Sequence, residues 1–115
     1  MSQSLNLDEL AEFMRQFSAD REWDQFHTPK NLAMALSGEA GELIEIFQWL
    51  TPEESASLDT ETLQHTSDEL ADIAIYLVRL ADVLGIDLGE AVRTKMKANE
   101  TRYTIEASRG SAQKR

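Results

Sequence analysis

Two stretches of this chain repeat apolar residues with a helical period, and each sets a carboxylate in the middle of its apolar stripe. At about 100° per residue, Leu32, Ala35, Leu36, Leu43, Ile46, Phe47 and Leu50 share one side of a helix. Glu39 falls near the centre of that side and Glu42 on its flank. Ile73, Tyr76, Leu77, Leu80, Val83 and Leu84 form a second stripe around Glu69, with Asp72 at the edge. Lone carboxylates are rarely buried unless paired or metal-bound. A fold for this chain must leave these faces in water or bring something positive onto them.

The rest of the patterning is helical as well. No Val/Ile/Thr alternation marks a strand, and only two prolines and five glycines punctuate the 115 residues. The expectation is one all-α domain of four-helix-bundle type. A first helix is expected from Leu7 to Arg21, with Asn6 and Glu9 as a capping pair and Leu10, Phe13, Met14 and Phe17 as its apolar face. The aromatic segment REWDQFHTPKN follows. Thr28 as N-cap and Pro29 as first helical residue open a second helix running to about Leu50. TPEESASLD connects, with one short turn after Pro52. A third helix is expected from Thr60 to Leu84, closed by Gly85. Asp87 and Glu90 make a capping-box pattern that opens a fourth, ending near Tyr103. The helical domain is thus expected over residues 1–103, and the polar tail 104–115 is expected to be flexible.

Composition narrows the function classes. Without cysteine, disulfides and thiolate metal sites are excluded. A net charge of −10 argues against a broad basic surface for nucleic acid. It does not exclude a small anionic ligand, because a metal ion inverts the local sign of a site. There is no apolar run long enough to span a membrane, and MSQSLNLDEL lacks the basic-then-apolar pattern of a secretory signal. A cytoplasmic protein without membrane or nucleic-acid partners is expected.

If the second and third helices pack antiparallel, Glu39 and Glu42 reach nearly the same height as Glu69 and Asp72. Four carboxylates then converge in one low-dielectric cleft, where they would repel one another and take up protons. Hard divalent cations with oxygen ligands resolve that conflict, and Mg²⁺ or Mn²⁺ suits carboxylate-plus-water coordination. A di-iron bundle would want Glu-x-x-His pairs, and neither His27 nor His65 stands three residues after a glutamate.

GEAGEL on one helix and DELADI on the next resemble the ExxE…ExxD signature of all-α nucleoside triphosphate pyrophosphohydrolases of the MazG type. REWDQFHTPKNL, GELIEIFQW, DELADIAIYLVRLA and KMKANETRY extend the resemblance to the dCTP pyrophosphatase branch, from the first helix to Tyr103. Where many MazG proteins carry a further glutamate before the first pair, this sequence has Gly38.

The resemblance implies Mg-dependent hydrolysis of a nucleoside triphosphate, dCTP or a modified dCTP foremost, to monophosphate and pyrophosphate. Glu39, Glu42, Glu69 and Asp72 are then the metal ligands and catalytic carboxylates. Lys95 joins them as a phosphate clamp, and it shares a helix face with Asn99 and Tyr103. Lys30 is a further candidate cation, and Tyr76, one turn beyond Asp72, could bridge a phosphate or sugar oxygen. Trp23, His27 and Trp49 supply flat or polar surfaces for a base. Ala33, Ile44, Ile75 and Val78 leave apolar surface that so short a chain cannot cover, so a symmetric homo-oligomer is expected. The resemblance implies a dimer, commonly doubled, with sites across the subunit interface. Two alternatives stay open: a non-enzymatic helical module with a structural divalent ion, and the same fold acting on dUTP or phosphoribosyl-ATP.

Overall fold

A computed structural model describes residues 4–115 of the chain; the first three residues of the expected 1–103 domain lie outside the described residues. Six helices follow in order: α1 (Leu7–Asp20), α2 (Pro29–Phe47), α3 (Pro52–Ser55), α4 (Thr60–Val83), α5 (Leu88–Arg102) and α6 (Ile105–Ser108). Short polar side chains cap their starts, Asn6, Thr28 and Asp87 as expected from the sequence and Asp59 in addition. Asn6 accepts from the Glu9 N–H at 2.8 Å, Thr28 from Asn31, Asp59 from Thr62 and Asp87 from Glu90. Among the described residues the one reciprocal capping box lies elsewhere than expected: Thr51 and Glu54 bond each other's backbone at α3, whereas the Glu90 carboxylate turns to Arg93 at 2.7 Å.

Two helix ends close by the same device. The Ile86 N–H donates to the Ala81 carbonyl and the Gly85 N–H to Asp82, with Gly85 at φ 71°. At the end of α1 the Trp23 N–H donates to Ser18 and the Glu22 N–H to Ala19, with Glu22 at φ 55°. A side chain is disfavoured in that left-handed conformation. Gly85→Ala should therefore destabilise the fold by about 1 kcal/mol. Glu22→Gly should change stability in the other direction, by at most about 1 kcal/mol. Urea unfolding of both variants checks the pair, and equal signs would contradict it.

The main packing is α2 against α4, with α1 laid on α4 and α5 touching α1 and α4 more lightly. The fully apolar core is small: Leu32, Val78 and Ala81. Val78, expected on a bare face, is buried, whereas Ile44 is 60% exposed as that expectation had it. The tail carries the α6 turn, and the Arg115 N–H donates to the Tyr103 hydroxyl at 3.0 Å.

The chain is open for its size. Its radius of gyration is 17.4 Å, against about 13 Å for a compact domain of this length. Its accessible surface is 9114 Å², against about 6,300 Å² for a compact monomer of 13.0 kDa. Part of the excess lies on α4, where Leu63, Leu70, Leu77 and Leu84 repeat every seventh residue and are all exposed. Leu77 and Leu84 were expected in the stripe that faces α2; the helix turns them away from it.

Candidate metal centre

α4 is two-faced. Opposite its leucines, His65, Glu69, Asp72, Tyr76 and Arg79 follow one another at alternating spacings of four and three, which lines them along one strip. α2 lays Glu39 against that strip. One carboxylate oxygen each from Glu39, Glu69 and Asp72 lies within 4.8 Å of the others. Glu69 is buried, Glu39 and Asp72 half-buried. Glu39 Oε2 and Glu69 Oε2 are both buried without a hydrogen-bond partner. Glu42 is exposed at the rim, outside the tight trio but close enough to Glu69 to act on its charge.

The electrostatics follow from this crowding. A hydrogen bond with Glu69, burial, and the charges of Glu42, Glu69 and Asp72 push the Glu39 carboxyl up to about 7. Glu69 is held down by its bond with Glu39. Burial, its bond with Glu42 and the charges of Glu42 and Asp72 outweigh that and raise it. The trio and its two unpartnered buried oxygens form an all-oxygen donor set, which suits a hard divalent ion.

The folded chain holds protons on these groups at a pH where the unfolded chain has released them. Their stabilising contribution is complete below about pH 4.5 and is lost as pH rises through about 7. Thermal melts in a chelator should give a lower Tm at about pH 8 than at about pH 5.5. Added divalent cation should recover more at the higher pH, and a chelated protein that melts higher at the higher pH would contradict this.

The remaining candidates scatter around the centre. An open groove of about 560 Å³, lined by Glu42, Glu45, Ile46, Thr62 and His65, runs beside the cluster. A second cleft, between α1 and the α4–α5 turn, holds Arg15 and Asp82 rather than the trio and has no comparable chemistry. Tyr76 is half-buried one turn past Asp72. Trp49 is 85% exposed just after α2, and Trp23 packs edge-on to Phe17 and His27. Lys30 is exposed and, at 100° per residue, on the opposite side of α2 from Glu39. Lys95 is exposed and Asn99 and Tyr103 half-buried on α5. Among the described residues no ion pair joins Lys95 to the carboxylates, and the Tyr103 hydroxyl is taken by Arg115.

Sequence reasoning passed over His65 and Arg79. His65 Nε2 lies 3.4 Å from Glu69 Oε1. Arg79 is 5% exposed and reaches Asp24 at 2.7 Å, His27 at 3.1 Å and Asp82 at 3.5 Å. The signal was present: both keep the four–three spacing of Glu69, Asp72 and Tyr76.

The sequence profile of the MazG-like family matches residues 34–115, which carry both acidic pairs. This chain belongs to the MazG-like family. The MazG-like chain is 44% identical over 108 residues to dCTP pyrophosphatase 1 of Bos taurus, an alignment covering 92% of this chain and 64% of that protein. It is 41% identical over 110 residues to dCTP pyrophosphatase 1 of Homo sapiens, covering 94% and 65%. It therefore spans a little under two thirds of the length of these relatives. A pyrophosphatase from Archaeoglobus fulgidus of known crystal structure superposes with a TM-score of 0.74 at 39% identity, covering 90% of this chain and 97% of that one. The register that sets Glu39 beside Glu69 and Asp72, and Ile46 beside Thr62 and His65, runs α2 antiparallel to α4. No helix among the described residues is long and apolar enough to cross a membrane.

Proposed function

We propose that this chain hydrolyses a nucleoside triphosphate, dCTP or a modified dCTP foremost, to the monophosphate and pyrophosphate, with Mg²⁺ as cofactor. The observation that carries the reading is the carboxylate trio of Glu39, Glu69 and Asp72, with two buried oxygens lacking partners, in a chain related to dCTP pyrophosphatases. Glu39, Glu69 and Asp72 would hold the ion, with Glu42 completing the set from the rim. Mn²⁺ would serve in its place. The ion would neutralise the triphosphate and acidify a bound water.

The chain's own residues do the rest. Water splits the link between the α- and β-phosphates, and a glutamate of the set takes its proton; Glu42, exposed and outside the trio, is freest to do so. Tyr76 bonds a phosphate or sugar oxygen one turn further along α4. Trp23 and His27 form the base side of the site, and Trp49, at the other end of α2, would offer its face to the base of a partner copy's site. Lys95, Asn99 and Tyr103 would supply a phosphate clamp to the site of a partner copy; Lys95 is exposed and has no ion-pair partner among the described residues.

Assembly belongs to the same reading. The surface exceeds that of a compact monomer by about 2,800 Å², the scale an obligate homo-oligomer buries. The α4 leucine repeat gives a second copy a heptad seam to pack on. A dimer, or a dimer of dimers, working in the cytoplasm to clear unwanted nucleotides fits this arrangement.

The test is a panel of nucleoside triphosphates incubated with Mg²⁺ and separated chromatographically. Monophosphate and pyrophosphate, with dCTP or a modified dCTP turned over fastest, is the expected result. Diphosphate and phosphate, or no hydrolysis of any triphosphate, would overturn it.

A further inference from the structure

We infer that Arg79 is a positioning residue: it fixes the His27 ring so that its Nε2–H points a hydrogen-bond donor at the nucleoside half of the substrate. The inference rests on the pyrophosphohydrolase reading above and adds to it a residue that touches neither metal nor phosphate.

The chemistry of the contact is one-sided. A guanidinium carries only donors and does not deprotonate. Arg79 Nε lies 3.1 Å from His27 Nδ1, so Nδ1 must offer its lone pair, and a neutral ring then carries its proton on Nε2. Arg79 cannot turn away to release the ring. Its Nη2 donates to Asp24 at 2.7 Å and its Nη1 faces Asp82 at 3.5 Å. Asp82 is itself gripped by Arg15 at 2.6 and 3.1 Å. The Arg79 side chain is 6% exposed, so the guanidinium itself is largely shielded from competing water. The groups facing the ring also keep it neutral. Burial and the Arg79 charge lower the His27 pKa, and Asp24 opposes them more weakly.

Placement supplies the target. Arg79 follows Asp72 by two helical turns on the same strip, about 10 Å along α4, with Tyr76 between them. Among the described residues Nε2 has no protein partner. Trp23 stands edge-on to the ring at 6.1 Å, an aromatic wall beside the donor. A triphosphate anchored at Asp72 and running past Tyr76 therefore brings its sugar and base to His27, and acceptors there meet an N–H rather than a lone pair.

Two readouts test this on the full chain. Nitrogen chemical shifts of the His27 ring at neutral pH should show Nε2 protonated and Nδ1 bare. Arg79→Met should mix the tautomers and raise KM for dCTP about 5- to 10-fold, with kcat within about twofold. Arg79→Lys, which keeps a donor but not the fork, should recover part of the loss. A proton on Nδ1 in the unmodified ring overturns the inference without any variant, so a poorly folding Arg79→Met does not protect it. An unchanged KM in a folded Arg79→Met overturns it too. An Nε2–H ring in a chain that turns over no triphosphate would overturn the enzyme reading and the nucleotide half of this inference, while turnover with Nδ1–H would overturn the inference alone.

Discussion

Glu69→Gln is expected to abolish turnover while making the metal-free protein more stable. The two effects have one cause. Glu69 is 7% exposed, and Glu39, Glu42 and Asp72 surround it. Without a cation, its charge is a liability among like charges, and an amide of the same shape relieves the repulsion. With a cation, the same charge is what the site uses. A metal–carboxylate contact contributes several kcal/mol to the transition state, so its loss should lower kcat/KM on the order of 10³-fold. Melting curves in a chelator should shift upward for Glu69→Gln, and the stabilisation by added Mg²⁺ should shrink. A variant that keeps its turnover, or that melts lower than the unmodified protein in a chelator, would contradict the account of this centre.

The second large effect concerns assembly. Leu70 and Leu77 are 52% and 42% exposed in the middle of the α4 leucine repeat. In an isolated chain, lysine at both positions would cost little, because surface substitutions usually change stability by less than about 0.5 kcal/mol. In an assembled protein the same pair puts desolvated like charges across a seam, a cost of several kcal/mol per interface. Leu70→Lys with Leu77→Lys should therefore move the mass by light scattering from an oligomer to a monomer. Activity should fall with it, because Lys95 and Asn99 serve a partner's site in this reading. An oligomer of unchanged mass would show that the seam lies elsewhere.

Much of the architecture was legible in the residues because local signals decide it. Asn6, Thr28, Asp59 and Asp87 carry short acceptors that cap the N–H three residues on, and each does so. The four–three period of the acidic strip placed Glu69 and Asp72 on one face, and antiparallel packing with α2 brings Glu39 to them. Other features depend on what lies across the helix. Periodicity put Leu77 and Leu84 in the α2-facing stripe, but a long helix meets several neighbours, and only Val78 and Ala81 reach full burial on α4's apolar side. Arg79 lies in the largely apolar stretch LVRLADV, which carries no local signal of a role beyond the four–three spacing. Its role depends on Asp24 and His27 arriving from a loop whose course, through a left-handed Glu22, has no glycine to announce it.

On the proposed function, the acidic side chains of α2 and α4 are tolerated together because a divalent cation sits among them while a nucleotide is cleaved. A crystal structure with Mg²⁺ and a non-hydrolysable dCTP analogue tests it most directly. Oxygens of Glu39, Glu69 and Asp72 within about 2.1 Å of an ion that also touches the phosphates is the expected result. The same crystal with the carboxylates turned to bulk water, far from any ion and from the phosphates, would contradict it.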